Sequence, residues 1–175
     1  MSAILAIDPG TTQSGFVRFD GARVLESGVL PNDDMLRKVQ CAVGCLEAQV
    51  LAIEMIASYG MAVGREVFET CVWIGRFQQA WNTPEAVRLV YRRTVKLHVC
   101  KSAKANDSEI RRGLLDLFPA TGGGATPQVG TKAKPGPLYG VSSHAWPALG
   151  VAVTVLGIER DEQSQRDLMG EAACA

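Results

Sequence analysis

Two short apolar runs constrain this chain more than any other feature. Residues 3–7 (Ala-Ile-Leu-Ala-Ile) and 50–53 (Val-Leu-Ala-Ile) contain no alternating polar positions. A strand with one wet face would show that alternation, so both runs read as central strands covered on both sides. Each run ends on a carboxylate, Asp8 or Glu54. Asp8-Pro9-Gly10 stops the first, because proline cannot continue a ladder and glycine permits the turn. Residues 15–19 and 23–29 follow as two further strands around the turn signal Asp20-Gly21. Pro31-Asn32-Asp33-Asp34 then opens a helix with a capping side chain and acids at its positive end. Its apolar stripe is Leu36, Val39, Val43 and Leu46. A helix between the two apolar runs makes them parallel neighbours joined by a right-handed crossover.

The second half is read the same way. The pattern predicts a helix over 65–81, a strand over 87–91 and a helix over 106–118 opened by the capping box Asn106-Asp107-Ser108-Glu109. Residues 119–141 hold six glycines and four prolines, too irregular for a packed element, so the segment is expected to be functional or disordered. A last helix over 143–157 has Ala148, Leu149, Ala152, Val155 and Leu156 as its apolar face. Beyond Ile158 the chain turns polar and is expected to fray. The order β-β-β-α-β-α-β-α-α describes an α/β domain over 1–158, a mixed five-stranded sheet flanked by helices, with a polar tail over 159–175.

Composition narrows the function classes. At 175 residues and 47% hydrophobic content, the chain is one domain's worth and needs no disulfide or structural metal for its core. No run approaches the ~18 apolar residues of a membrane span, and the start lacks a basic segment followed by an apolar one, so a cytoplasmic protein without a membrane partner is expected. Cys41, Cys45, Cys71, Cys100 and Cys174 form no C-x-x-C pair and read as reduced thiols. Net charge is zero, yet it is unevenly spread. Residues 88–134 carry ten basic side chains (Arg88, Arg92, Arg93, Lys96, Lys101, Lys104, Arg111, Arg112, Lys132, Lys134) against Asp107, Glu109 and Asp116, a net of +7. The remainder, with eight basic and fifteen acidic residues, carries −7. Such a split marks a candidate polyanion surface, although a solvated basic face would look the same.

Asp8 and Glu54 are the candidate chemical centre. On parallel neighbours about 4.8 Å apart they emerge together at the carboxyl edge of the sheet. Adjacent carboxylates repel unless they share a proton or bind a cation. A hard divalent ion such as Mg²⁺ takes oxygen ligands of this kind, and a pair of such ions suits phosphodiester hydrolysis. Alone, either acid would read as a turn cap. His144, at the start of the last helix, suits a metal ligand, a general base or a phosphate contact, or else an ordinary surface position. Phe68, Trp73, Phe77 and Trp81 follow a helical stripe and read as core or dimer interface before base-stacking wedges.

These residues fall into a known pattern. Ile4-Leu5-Ala6-Ile7-Asp8-Pro9-Gly10 with Gly15 resembles the opening strand and turn of RuvC-family Holliday-junction resolvases, and 51–54 (Leu-Ala-Ile-Glu) the family's second acidic strand. Val95-Lys96 and residues 101–115 resemble its V-K segment and following helix, and 143–152 (Ser-His-Ala-Trp-Pro-Ala-Leu-Gly-Val-Ala) its closing helix. The approach Gly136-Pro137-Leu138-Tyr139-Gly140 is similar to that of divergent, phage- or prophage-encoded members. The resemblance covers residues 3–157. It implies a ribonuclease H-like fold and a homodimer that nicks a four-way DNA junction symmetrically, using Mg²⁺ (with Mn²⁺ able to substitute) held by Asp8, Glu54 and His144. It further implies DNA contacts from Arg92, Arg93, Lys96, Lys101 and Lys104. One departure is Pro147, where many members carry an aspartate; Asp107 is then a candidate for the missing oxygen. Two other readings share these residues: a junction-binding protein without activity, and a fragment of an actin- or sugar-kinase-like ATPase. The latter needs a second phosphate loop that the chain lacks.

Overall fold

The computed structural model describes residues 3–44, 48–58, 60 and 62–173. Five strands form one sheet: β1 (Ile4–Asp8), β2 (Gln13–Phe19), β3 (Val24–Pro31), β4 (Val50–Met55) and β5 (Arg88–Tyr91), in the order β3-β2-β1-β4-β5. β1, β2 and β3 are antiparallel, whereas β1, β4 and β5 are parallel. The helices are α1 (Asn32–Gly44), α2 (Arg65–Ala80), α3 (Arg92–Cys100), α4 (Asp107–Asp116) and α5 (Ala145–Ala173). The mixed five-stranded sheet flanked by helices is therefore as the sequence predicts.

Strand alternation divides the core. Leu5, Ile7, Leu51 and Ile53 face Met35 and Val39 of α1 and Ile74 and Phe77 of α2. Ile4, Ala6, Ala52 and Val90 face Val95 of α3, Ile110 and Leu114 of α4, and Leu149 and Ala152 of α5. Both faces of β1 and β4 are covered, which is why their sequences are unbroken apolar runs. Of the stripe predicted for α1, Val39 is buried and Leu36 and Val43 pack at its margin; Leu46 lies outside the described residues. Phe77 and Trp81 are core, Trp73 packs against it, and Phe68 is 60% exposed.

Three elements differ from the sequence prediction. First, α3 is a helix where only a connection is expected. Its N-cap, Tyr91, provides no side-chain cap, and its C-cap, Lys101, takes the left-handed conformation (φ 55°) usually given to glycine. Neither end carries the customary signal. Second, α5 passes Gly157, the predicted stop, and continues to Ala173 where fraying is expected. Gly157 lies inside the helix at a close approach to α3 that leaves no room for a side chain: a Cβ there would sit 2.1 Å from the His98 ring. Beyond it, good helix formers and the Glu162/Arg166 pair at i,i+4 sustain the helix. Third, 119–141 is ordered. Gly123 N donates to Lys134 O (2.9 Å), Gly136 N to Val129 O (3.0 Å) and Leu138 N to Gln128 O (2.8 Å). Leu138 is fully buried, and Val24 N donates to Pro137 O (2.8 Å), docking the loop on β3. Val24 pairs with Phe19, and Phe19 with Ile4, so Lys132 and Lys134 belong to a loop docked at the sheet end opposite Asp8.

Among the described residues Cys41, Cys71 and Cys100 are free thiols; Cys45 and Cys174 lie outside them. No described helix is long and apolar enough to cross a membrane. Leu138 is the most deeply buried side chain of the loop and belongs to the core cluster that includes Leu149 and Ala152 of α5. Leu138→Ala is expected to cost about 2–5 kcal/mol in urea unfolding and to open 121–136 to limited proteolysis. A loss under about 1 kcal/mol would mean the loop stands without it.

Candidate active site

Register creates the acidic pair. Ile7 of β1 is matched with Ile53 of β4, so the next residues, Asp8 and Glu54, stand side by side on parallel strands. Their alternation parity is that of Ala6 and Ala52, which face α3, α4 and α5. Both carboxylates therefore emerge on the face covered by those helices, at the shared carboxyl edge of the two strands. Glu54 is 12% exposed at its side chain. Burial pushes the Asp8 carboxyl up to about 6, against the opposing pull of Arg92 and His144. Burial pushes Glu54 up to about 7; Arg92 opposes this and the Asp8 charge adds to it.

The turn after Asp8 is pinned from beneath by Ser14 and Asn32, in a role that the sequence does not express directly. Ser14 and Asn32 are 1% and 2% exposed. Ser14 Oγ donates to Asn32 Oδ1 (2.7 Å), Asn32 Nδ2 donates to Gly10 O (2.9 Å), and Asn32 N donates to Thr12 O (3.0 Å). Asn32 reads as a cap in the sequence, yet its side chain is committed to the turn. A polar residue at the buried start of α1 was the available signal. Satisfied buried networks of this kind fix one backbone arrangement.

His144 is placed by glycine. Gly15, the register partner of Asp8 on β2, lies so close to the chain before α5 that a Cβ would meet His144 O at 2.1 Å. His144 is exposed and shares a cleft of about 270 Å³ with Asp8 and residues 9–13. On its other side it shares a cleft of about 400 Å³ with Arg92, Asp107 and Pro147. A third cleft, of about 210 Å³, contains Asp8, Glu54 and Arg92. The structure thus gathers Asp8 and Glu54 in one cleft and sets His144 on the far flank of Asp8. Among the described residues no three His, Cys, Asp or Glu side chains converge as a ready cluster of metal ligands. Two adjacent buried carboxylates nonetheless fit a hard divalent cation, which would relieve the cost of ionising them. Position 147 faces the same cleft as His144, in the first turn of α5 where a missing N–H breaks no helical bond.

The basic residues separate into two groups. Arg92, grouped by sequence with the DNA contacts, lies in the acidic centre: Nη1 is 3.4 Å from Glu54 Oε2 and Nη2 is 2.5 Å from Asp107 Oδ1. Asp107, at the first position of α4 behind the Asn106/Glu109 capping box, is thus an ion-pair partner of Arg92. Arg93, Lys96, Lys101 and Lys104 run along α3 and the connection after it, and among the described residues none has a carboxylate within 4.0 Å.

Comparison with solved structures shows the fold. The chain is similar to Thermus thermophilus RuvC, with a TM-score of 0.65 and 17% identity over 91% of this chain and 96% of that one. It is also similar to T. thermophilus RuvC in complex with a Holliday junction substrate, with a TM-score of 0.62 and 18% identity over 88% and 92%. No protein-family model and no curated protein matches. The fold is RuvC-like, of the ribonuclease H-like class.

The raised carboxyls predict a pH dependence. A carboxyl whose folded pKa lies above its unfolded value favours the fold while protonated, and that contribution is lost as pH rises through the folded pKa. Stability should fall between about pH 4 and pH 7, the span from the unfolded values to those of Asp8 and Glu54. At about 1.4 kcal/mol per unit, Asp8→Asn should stabilise the fold by up to about 3 kcal/mol at pH 8 and by little at pH 4. Urea unfolding at the two pH values checks this. An equal effect at both would show that Asp8 is not desolvated.

Proposed function

We propose that this chain is a divalent-metal-dependent endonuclease that resolves four-way DNA junctions by symmetric nicking. The observation that carries the reading is the Asp8/Glu54 pair, two largely desolvated carboxylates at adjacent ends of parallel strands. They sit in a fold similar to that of a protein solved with a Holliday junction substrate. Asp8 and Glu54 would hold Mg²⁺ or Mn²⁺, with His144 flanking Asp8. The bound ions would supply an activated water and stabilisation of the leaving oxygen. The Ser14/Asn32 network holds the Asp8 turn in one conformation, and Gly15 lets His144 approach it.

The open flank of α3 supports the DNA part of the reading. Arg93, Lys96, Lys101 and Lys104 are free to meet phosphates, contacts that position a duplex without reading its sequence. The homodimer implied by symmetric nicking would use an apolar face; Phe68 and Val72, one turn apart on α2 and 60% and 62% exposed, supply one. A cytoplasmic setting in a bacterial cell, with a phage- or prophage-encoded origin, accompanies the reading.

A synthetic four-way junction tests it. Mg²⁺ should yield paired, symmetric nicks. Asp8→Asn or Glu54→Gln should lower the nicking rate by roughly 100-fold or more, since even the outer partners of a metal ligand are worth roughly 10–100-fold. Junction affinity should remain near that of the unmodified protein. Full nicking by either variant would remove the proposed centre, and tight binding with no cutting by the unmodified chain would leave a binding protein. For the α3 flank, log-log plots of affinity against salt should be steep, and Lys96→Ala or Lys101→Ala should each flatten the slope by about one. An unchanged slope would place that lysine off the DNA.

A further inference from the structure

We propose that Arg92 is a resident counter-ion of the acidic centre, which competes with the divalent cation for Glu54 while Asp107 holds it in reserve. The inference rests on the cation site proposed above and concerns what sets its affinity.

Three observations carry it. Arg92 is the only ion-pair partner of Glu54 among the described residues, and Asp8 has none within 4.0 Å. Its guanidinium, 25% exposed at the side chain, spans Glu54 and Asp107 and lines both the Asp8/Glu54 cleft and the His144/Pro147 cleft. The two anchors sit in different surroundings: Glu54 is 12% exposed at its side chain, whereas Asp107 is 84% exposed.

The physical consequence is direct. A pair of buried carboxylates requires a cation or a shared proton. A guanidinium supplies one fixed positive charge and, unlike a lysine, cannot discard its proton to make room. A divalent ion bound to Glu54 would meet that charge across the same carboxylate and be repelled by it. Asp107 gives the planar fork a second carboxylate outside the Glu54 contact, so Arg92 can release Glu54 without leaving the cleft. Cation affinity is then set by the balance between the two anchors, and Asp107 acts as a positioning residue through Arg92.

The test reads metal binding and needs no DNA. MnCl₂ is titrated calorimetrically into the unmodified full chain, Arg92→Gln, Asp107→Asn and the double variant, with folding checked by circular dichroism. Arg92→Gln should bind Mn²⁺ about tenfold tighter or more, within the usual range of couplings between two sites. Asp107→Asn should bind more weakly in the presence of Arg92, and the same change should have little effect once Arg92 is gone. An equal loss in both backgrounds would make Asp107 an independent ligand or field charge and overturn its assigned role. Unchanged or weaker binding by folded Arg92→Gln would overturn the competition while leaving the cation site intact. No Mn²⁺ binding by any of the four would overturn the cation site and this inference with it. Should Arg92→Gln fail to fold, side-chain ¹⁵N resonances of the unmodified protein decide the matter. The Arg92 guanidinium signal must move as Mg²⁺ is added, and a static signal at saturating Mg²⁺ overturns the proposal.

Discussion

The in-register parallel pairing of β1 with β4 is the constraint from which the rest of the site follows. With Ile7 opposite Ile53, the apolar runs cannot end anywhere but at a common edge, and the next residue of each is an acid. A slip of one position would turn one carboxylate to the α1/α2 face, among the packed side chains of Phe77 and Met35. Burial of the hydrophobic residues before them therefore fixes the placement of the charges. The strands are also the reason the charges are expensive, because the same coverage that makes them stable desolvates Asp8 and Glu54.

Around this destabilised pair the surroundings divide the work. Ser14 and Asn32 satisfy the turn from inside the core. Gly15 removes a side chain so that the backbone before α5 can close over the edge. Arg92 brings compensating charge from α3, with Asp107 of α4 as its second anchor. Each contribution comes from a different element, and the geometry of the pair is over-determined although no member of it is stabilised by being there. Costly charges held in place by a well-packed scaffold mark where a functional site is to be sought.

What was legible in the sequence follows the same division. Unbroken apolar runs, a turn dipeptide and a capping box are local signals, so the succession of strands along the chain, the parallel pairing of β1 with β4, α1, α4 and the placement of Asp8 and Glu54 could be read directly. α3 could not, because an uncapped start at Tyr91 and a left-handed Lys101 conceal both its ends. Gly157 reads as a stop until the His98 ring beside it is known. The glycine- and proline-rich segment reads as irregular because its order comes from hydrogen bonds between backbone groups such as Gly123 and Lys134, which composition does not express. Arg92 is the most instructive case. Counting charge assigns it to the basic surface, while the turn from β5 into α3 delivers it to the acids.

That turn also explains how a basic flank and an acidic centre coexist in a chain of zero net charge. β5 is the edge strand beside β4, and α3 starts at its end next to Glu54. The segment with a net charge of +7 thus begins against the carboxylates and leads away from them along Lys96, Lys101 and Lys104. A phosphate chain following that flank would be guided by long-range attraction toward the sheet edge, where the sign of the field reverses. Only a species bearing positive charge of its own, or a side chain such as Arg92, can reconcile a polyanion with Asp8 and Glu54 at that boundary. A divalent cation at the proposed site would supply such a charge.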